Sequence, residues 1–362
     1  LSSHVKLYLL DTNSDQNRPE DRDINDSLYF GDLGKQFKQQ LILGMGGGQL
    51  LQKLGLKPKI YHLNEGRPFF LIWELMLQLK QYADYDFKTI EKIIRQNLVY
   101  TNHTLVPAGN YVIQRSYVEP IASYVAQRLG IEIDQLLSPG LTDDKQHFSP
   151  TRLALHYSHQ QSGVSKLHTK LSQEIWPHLD WTNVTNGVHL PTWQDERFKQ
   201  AELSDQELWS IHLDNKKKLE QFVFERTGFH YNPDWLTIGW ARRLAGYKRL
   251  DAVFADLNRL AEIVKDEDRP VQILVAGKAH QEDDGGKKML QQVIKHMAHE
   301  LSGHALFIPN YELEVAKYMI RGSDVWLNIP VRGREACGTS GMTAISNGVF
   351  QFTTKDSCTD EV

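Results

Sequence analysis

The stretch GREACGTSGMT, residues 333–343, joins a strand pattern at 324–329 to a helix pattern at 342–348. A small-residue turn between a strand and a helix exposes backbone N–H groups, and these groups can hold a phosphate or sugar hydroxyls. Glu335 lies at the mouth of the turn. The stretch therefore predicts a ligand site in an α/β fold. The alternative is a tight connection that binds nothing, because Gly-rich turns are common.

The composition is that of an ordinary globular protein. A chain of 362 residues is longer than one hydrophobic core usually serves, so two domains are expected. Hydrophobic residues make up 41% and the net charge is −4, which gives the chain no overall attraction to nucleic acid or to an anionic membrane. No apolar run is long enough to predict a membrane-spanning helix. Cys337 and Cys358 are the two cysteines, a number typical of a reducing compartment, and a cytoplasmic location is predicted.

The first half of the chain predicts strands that lead into polar loops. Strand patterns at 59–63 and 98–101 are followed by Glu65 and His103, respectively. The carboxyl ends of strands are where α/β sheets bind ligands. The two loops are therefore candidates for one shared site, although a lone histidine in such a place is more often a structural hydrogen-bonding residue. A further buried strand is predicted at 5–11.

Two predicted helices of the first half contain features that could suggest a ligand. The helix at 34–55 is interrupted by a Gly-rich segment at 44–48, but no strand precedes this segment and no Lys-Ser or Lys-Thr pair follows it. We therefore interpret it as a site of close packing or a kink rather than as a phosphate loop. A long helix is predicted at 149–176, with a break at Gly163. His156 and His159 could lie on one face of this helix, but no carboxylate or third ligand joins them. No metal site is therefore predicted at His156, His159 and His168.

The second half alternates strand and helix patterns, which predicts a mostly parallel sheet. Ser204 and Glu207 have the spacing of a capping box, which predicts a helix from Ser204 to Arg226. We place a domain boundary after residue 190, beside a turn-rich segment at 185–193 that we interpret as a hinge. The remaining strands are predicted at 236–240, 271–276, 305–309 and 324–329, and the remaining helices at 253–264, 286–301 and 313–322.

Basic side chains follow the strand at 236–240 within a Gly-containing loop. They are Arg242, Arg243, Lys248 and Arg249. An arginine fork and a lysine ammonium can both be directed at one phosphate, so the loop predicts an anion site; in the middle of a helix the same charges would be a solvated face. In the first half, Glu65, His103 and Asn186 are suited to sugar hydroxyls. The combination suggests glycosyl transfer that involves phosphate.

These motifs resemble those of the α-glucan phosphorylases, which act on glycogen or maltodextrin, in their shorter bacterial and archaeal form. The matching stretches keep the family's order along almost the whole chain: YLLDT, YHLNEGRPFF, VYTNHTLVPAG, SGVSKLH, VTNGVHLPTW, WARRLAGYKR, VAGKAH, SDVWLNIP and EACGTSGM. The resemblance implies the GT-B glycosyltransferase fold, in which two Rossmann-like lobes hold the active site in the cleft between them. The lobes would be residues 1–190, on the sugar side, and 191–362, on the phosphate and cofactor side.

The resemblance also implies a role for each matching residue. Arg243 and Lys248 would bind the substrate phosphate, with His103 as a third catalytic residue. The sugar would be contacted by Glu65, Asn186, Tyr247, Glu335, Cys337 and Gly338; the wider family often has Ser at the position of Cys337. Arg242, Thr339 and Ser340 would hold the 5′-phosphate of pyridoxal phosphate. In this family the cofactor's phosphate assists attack of inorganic phosphate on the terminal glucosyl unit, with retention of configuration.

Three departures from the family's pattern bear on activity. Thr343 occupies the position of the family's cofactor-linking lysine, so a covalent link cannot form there. Arg67 stands where the family usually has a histidine. The family's upstream Gly-rich loop would precede residue 1 and the end of its second lobe would follow residue 362, so we expect both lobes to be incomplete.

The expected reaction is phosphorolysis of an α-1,4-glucan to glucose 1-phosphate, and the expected partners are the glucan and inorganic phosphate. No nucleic acid or membrane partner is predicted, and a homo-oligomer is compatible with the resemblance. The alternatives are an incomplete and inactive phosphorylase-like chain, an active chain that binds the cofactor noncovalently, and a catalytically silent glucan-binding protein. A nucleotide-sugar glucosyltransferase resembling glycogen synthase would share the fold, but no distinctive stretch for a nucleotide base is visible.

Overall fold

A computed structural model describes residues 5–27, 32–106, 110–200, 202–281 and 283–361. The chain divides into two compact units: unit 1 extends to Val164 and includes Thr169–Val184, and unit 2 consists of Ser165–His168 and the chain from Thr185 onward. Each unit contains its own parallel sheet, so the α/β prediction is confirmed. The predicted domains, 1–190 and 191–362, stay a prediction. The stretch 107–109 of the His103 loop lies outside the described residues.

The sheet of unit 1 has four parallel strands in the order β1-β2-β5-β6. These strands are β1 (Tyr61–Asn64), β2 (Leu98–Asn102), β5 (Gln160–Gly163) and β6 (Trp181–Asn183), and a separate antiparallel pair is formed by β3 (Ile113–Gln114) and β4 (His147–Phe148). The helices of this part of the chain are α1 (Leu33–Leu41), α2 (Gly47–Lys53), α3 (Phe70–Ala83), α4 (Phe87–Asn97), α5 (Arg115–Leu129), α6 (Ile133–Leu137), α7 (Pro150–Tyr157) and α8 (Lys166–Ile175).

Aromatic packing on α3 fixes the core of unit 1 and explains the glycines near residue 44. Phe70 and Trp73 are completely buried. A π-helical segment, Ile42–Gly46, connects α1 to α2 and packs on α3. A Cβ added at Gly44 would lie 2.6 Å from the backbone nitrogen of Leu71, so only glycine fits there. The predicted close packing is confirmed.

Two predictions for unit 1 are wrong. Residues 5–11 do not form a strand: they pair with no other strand among the described residues, and Leu7 and Leu9 are 62% and 82% exposed. Residues 149–176 are not one helix, because β5 separates α7 from α8. The polar sequence of β5 carries little strand signal, and its conformation depends on the ladders with β2 and β6. Gly163 ends this strand where a side chain would collide with Thr169.

Unit 2 has five parallel strands in the order β11-β10-β7-β8-β9. The strands are β7 (Leu236–Ala241), β8 (Val271–Ala276), β9 (Ala305–Ile308), β10 (Val325–Asn328) and β11 (Phe350–Thr353). The helices are α9 (Leu190–Trp193), α10 (Asp205–Thr227), α11 (Leu250–Val253), α12 (Leu257–Val264), α13 (Asp284–Ala298), α14 (Leu313–Gly322) and α15 (Thr339–Ile345). The four strands predicted here are confirmed.

The helices of unit 2 follow the predicted signals with two exceptions. The helix predicted at 342–348 is α15, which begins earlier, at Thr339, and ends at Ile345. The capping box is present: Ser204 accepts from the Glu207 N–H, and the Glu207 side chain accepts from the Ser204 N–H. The predicted helix at 253–264 is instead two helices, because Asp256 caps a new start by accepting from Arg259 N at 3.0 Å. Among the described residues, no helix combines the length and apolar character needed to cross a membrane.

Candidate active site

The strand order of unit 2 reverses between β7 and β10, where α/β sheets leave a crevice outside their carboxyl ends. The loop that follows β7 carries residues 242–249, and the loop that follows β10 carries residues 329–338. Arg249 joins the two loops, because its Nε donates to the Ile329 carbonyl at 2.7 Å. The fold therefore brings the predicted basic loop beside the stretch that begins at Gly333.

Lys248 and Glu335 form a buried ion pair at this crevice. The Lys248 Nζ lies 2.8 Å from Oε1 and 2.5 Å from Oε2 of Glu335. Their side chains are only 9% and 11% exposed. Burial lowers the pKa of Lys248 to about 8, and the Glu335 carboxylate opposes this shift. The pair places a predicted phosphate-binding residue in direct contact with a predicted sugar-binding residue.

Arg242 supplies a second buried cation with unused donors. Its guanidinium donates through Nη2 to the Ser340 hydroxyl at 3.0 Å, while Nη1 lies 3.9 Å from Glu335 Oε2. The buried Nε and Nη1 have no hydrogen-bond partner among the described residues. Burial lowers the pKa of Arg242, opposed by Glu335. A buried guanidinium with free N–H groups is suited to an anion, because leaving such donors unpaired costs free energy.

Tyr247 and Arg243 complete the basic loop. The Tyr247 ring centroid lies 4.9 Å from Lys248 Nζ. Burial raises the pKa of Tyr247 to about 12, so its hydroxyl is a neutral donor and acceptor near neutral pH. Arg243 is exposed on the same loop. The structure thus brings Arg242, Tyr247 and Lys248 together around Glu335, and it leaves Arg243 at their solvent side.

Cys337, Gly338 and Asn186 lie on the other part of the same crevice. The Asn186 backbone lies close to the Cys337 thiol and opposes the rise in its pKa. The Gly338 N–H donates to the Ser357 hydroxyl at 2.7 Å. Three of the predicted sugar-binding residues are therefore adjacent, but the Gly338 N–H is already hydrogen-bonded within the chain.

The helix that follows the turn, α15, is short and uses several of its first donors internally. The Thr339 N–H donates to the Cys337 carbonyl at 3.1 Å, and the Gly341 N–H donates to the Gly338 carbonyl at 3.1 Å. Thr343 is 5% exposed, and its hydroxyl donates to the Ser340 carbonyl at 2.8 Å. The turn thus presents side chains, chiefly Ser340, rather than a row of free backbone N–H groups.

These residues fit a phosphate group of the expected cofactor but not a covalent link to it. Arg242 offers unpartnered donors beside Ser340. Gln351 adds a buried amide nitrogen that has no partner in the described part of the chain, and any side chain at Gly341 would collide with it. Thr343 carries no amine, and its hydroxyl is engaged within its own helix.

Unit 1 brings Glu65 and His103 together. Glu65 has a left-handed backbone with φ of 66°, and its Oε1 accepts from the His103 N–H at 2.6 Å. The Glu65 Oε2 is buried without a partner among the described residues. Burial raises the pKa of Glu65 to about 7, against the opposing effect of the His103 N–H. Burial also lowers the pKa of His103, which favours a neutral imidazole.

Arg67, the departure next to Glu65, packs on an aromatic ring. Its guanidinium lies 5.1 Å from the Tyr111 ring centroid, and its Nη1 donates to Gln36 Oε1 at 3.4 Å. These contacts hold Arg67 between Gln36, which precedes the Glu65 loop in the chain, and Tyr111, which follows it. The sequence gives no signal for the Tyr111 and Gln36 contacts, because they are long-range in the chain.

Two of the three histidines near 149–176 have side-chain hydrogen-bond partners within the chain. His156 Nε2 lies 2.5 Å from Arg95 Nη2, and His159 Nδ1 lies 2.7 Å from the Leu98 carbonyl. Within the described part of the chain, no three His, Cys, Asp or Glu side chains are grouped as metal ligands.

Sequence reasoning missed the segment behind the turn, residues 356–358. Asp356 Oδ1 accepts from the Gly333 N–H at 2.9 Å, and Asp356 and Ser357 are each 2% exposed. A signal existed, because residues 350–353 alternate aromatic and polar residues before these polar groups. Reading this run as a fifth strand would have placed Asp356 at the same sheet edge as Glu335.

Comparisons with known proteins agree with these motifs. The family model described as "Carbohydrate phosphorylase" matches residues 192–362. A glycogen phosphorylase of Aquifex aeolicus is 35% identical over 97% of this chain and 58% of its own length. A maltodextrin phosphorylase of Thermococcus litoralis is 36% identical over 97% of this chain and 47% of its own length. A glycogen phosphorylase of Mycobacterium tuberculosis is 33% identical over 99% and 48%, respectively. The chain thus spans about half the length of the curated relatives it matches, and it belongs to the carbohydrate phosphorylase family.

Proposed function

We propose that this chain is an α-1,4-glucan phosphorylase-type glycosyltransferase, which cleaves the terminal glucosyl unit of glycogen or maltodextrin with inorganic phosphate and yields glucose 1-phosphate with retention. The names of its relatives support this reaction class. The observation that carries the proposal is the buried Arg242 guanidinium, which has unpartnered N–H groups beside the Lys248–Glu335 pair.

In this proposal, the cations of unit 2 bind and orient phosphate groups. Lys248 provides a point charge and Arg243 a planar fork for substrate phosphate, while Arg242 and Ser340 hold the phosphate of pyridoxal phosphate. When bound, pyridoxal phosphate would supply a phosphate group able to donate and accept a proton beside the substrate phosphate. Buried positive charge is effective here because it is fixed before the reaction begins.

The proposed sugar-binding residues divide between acceptors and donors. Glu335 accepts hydrogen bonds from sugar hydroxyls and holds Lys248 in place, so it links sugar binding to phosphate binding. Tyr247, Cys337 and Asn186 are the proposed contacts for the remaining hydroxyls. On unit 1, the free Oε2 of Glu65 is an acceptor suited to a glucosyl hydroxyl, and His103 is the proposed third catalytic residue. A cytoplasmic location and a homo-oligomer stay predictions.

A catalytically silent glucan-binding protein is the second candidate, and Thr343 favours it. Noncovalent binding of pyridoxal phosphate would have to depend on polar groups such as those of Arg242, Thr339 and Ser340. Loss of a covalent link weakens retention of the cofactor without removing the groups that bind phosphate.

The test is release of glucose 1-phosphate from maltodextrin by the full chain supplied with pyridoxal phosphate and inorganic phosphate. Lys248→Met should abolish the release, whereas Lys288→Met, at an exposed lysine of the same unit, should not. Maltodextrin binding without release would support the silent protein, and Thr343→Lys compared with Ile345→Lys would then show whether the missing amine limits activity. Transfer from a nucleoside diphosphate glucose alone would contradict both candidates.

A further inference from the structure

The two cysteines of the chain lie side by side in unit 2. Cys337 is in the loop that follows β10, and Cys358 is in the 3-10 turn Ser357–Glu361 that follows β11. The strands β10 and β11 pair in parallel, with Asn328 opposite Thr353, so both loops leave the same edge of the sheet. The sequence separates the cysteines by one helix and one strand, and the fold brings them back together.

A hydrogen bond between their neighbours fixes this approach. The Gly338 N–H donates to the Ser357 hydroxyl at 2.7 Å, and both residues are buried. The two sulfurs lie close enough for each thiol to shift the pKa of the other. Cys337 is partly exposed, whereas Cys358 is 8% exposed. One thiol is therefore open to solvent and the other is held directly behind it.

The surroundings of the pair favour a thiolate on Cys358. The Cys337 thiol, the Ser357 hydroxyl and the Gly338 N–H lower the pKa of Cys358. The pKa of Cys337 is raised, chiefly by the neighbouring Cys358 thiol and by burial. A thiolate in contact with a neutral thiol is the arrangement from which a disulfide forms after oxidation.

We propose that Cys337 and Cys358 are a reversible modification site that forms an intrachain disulfide with a peroxide as oxidant. The Cys358 thiolate attacks one peroxide oxygen, the O–O bond breaks, and hydroxide leaves as a sulfenic acid forms. The Cys337 sulfur then displaces the sulfenic oxygen, which leaves as water after it takes the Cys337 proton. Two thiols and one hydrogen peroxide thus give one disulfide and two waters, and a small thiol such as glutathione reverses the change by disulfide exchange.

The disulfide would alter the wall of the crevice. A sulfur–sulfur bond of about 2.05 Å is much shorter than the contact between two unbonded thiols, so its formation must draw the 337 loop toward residue 358. Gly338 and Glu335 belong to that loop. The effect on binding, unlike the disulfide itself, rests on the proposed function: oxidation moves the sugar-binding side chains and lowers glucan affinity.

The first test measures the bond itself and does not depend on any activity. The full chain is treated with hydrogen peroxide, and intact mass and free thiols are measured before and after reduction. We expect a loss of about 2 Da and of both titratable thiols, each reversed by glutathione. Cys358→Ser and Cys337→Ser are matched controls that should gain oxygen instead of losing hydrogen. Two unreacted thiols, a cross-linked dimer, or stable oxygen adducts on the unmodified sequence would overturn the proposal.

The second test asks whether the bond affects the crevice. Maltodextrin binding is measured for the reduced and oxidised chain and for Cys358→Ser, which keeps the residue in the sugar wall unchanged. We expect weaker binding by at least about tenfold on oxidation, restored by glutathione, and no reversible loss in Cys358→Ser. Equal loss in Cys358→Ser would contradict the role of the disulfide. If the reduced chain does not bind maltodextrin, the proposed function is contradicted. The disulfide would then still be tested by the mass measurement alone.

Discussion

At the residue scale, the site is defined by charges that are buried beside one another. Breaking a buried ion pair by removing one partner is strongly destabilising because it leaves an uncompensated charge. Lys248 and Glu335 therefore hold each other in the crevice. Arg242 donates to Ser340 there, and its Nε and Nη1 have no partner among the described residues. Protonation of these groups is the property that a measurement can reach most easily.

The first prediction concerns the pH dependence of phosphate binding. Because the pKa of Lys248 is lowered to about 8, its charge is lost above that pH, well below the usual range for lysine. Affinity for inorganic phosphate should therefore fall above pH 8, by up to about tenfold per pH unit. Calorimetric titration of the wild-type chain between pH 7 and 9.5 measures this.

Lys248→Arg is the informative variant, because a guanidinium stays charged across this pH range. It should bind phosphate with a flat profile, while Lys288→Arg should behave as the wild type. A wild-type profile that is flat to pH 9.5, or a decline that persists in Lys248→Arg, would show that another group controls binding.

The second prediction concerns Glu65. Its pKa is raised to about 7 by burial, so the folded chain binds a proton that the unfolded chain has lost between pH 4.5 and 7. Stability should therefore fall as pH rises through this window, by on the order of 3 kcal/mol from this group. Denaturant unfolding at pH 5 and pH 7.5 should show a smaller fall for Glu65→Gln than for the wild type. Glu174→Gln, at an exposed position, should leave the fall unchanged; if both variants behave alike, Glu65 is not the group responsible.

At the element scale, the folded chain depends on a few close approaches between helices and strands. The π-helical segment between α1 and α2 is the tightest example in unit 1. Gly44 faces the backbone of α3 there, whereas nothing lies within 4 Å of a Cβ added at Gly47. The two glycines are neighbours on one helical path, and they differ in what surrounds them.

The third prediction uses this contrast. Gly44→Ala should destabilise the chain by about 1–3 kcal/mol, because the added methyl group forces the π-helical segment away from α3. Gly47→Ala should be neutral or stabilising by up to about 1 kcal/mol, since alanine favours a helix more than glycine. Denaturant midpoints of the two variants provide the measurement, and similar destabilisation by both would remove the packing explanation.

The same scale shows which elements sequence patterns can predict. The run at 271–276 is apolar except for Gln272 and agrees residue for residue with β8, because a strand buried on both faces needs no partner-specific signal. The sequence pattern did not predict the polar strand β5, because its conformation depends on pairing with β2 and β6. For residues 5–11 the strand prediction was wrong for the opposite reason. Their sequence pattern is typical of a strand, but they have no strand partner among the described residues.

At the scale of the whole molecule, the chain is two α/β units that cover about half of each curated relative. The strand alternation of unit 2 and the polar residues at strand ends were sufficient to predict the crevice at β7 and β10, since parallel strands bring their carboxyl ends to one edge. The sequence could not predict that Lys248 pairs with Glu335 or that Ser357 bonds to Gly338. Those contacts depend on side-chain packing between loops that lie far apart in the chain.

The central claim is that Arg242 and its neighbours bind a phosphate group. Phosphorus NMR of pyridoxal phosphate titrated with the full chain tests it most directly. The account predicts a bound resonance for the wild type and for Arg269→Met, whose arginine is 87% exposed, and loss of that resonance in Arg242→Met. An unchanged phosphorus signal with the wild type, or equal binding by Arg242→Met, would contradict the account.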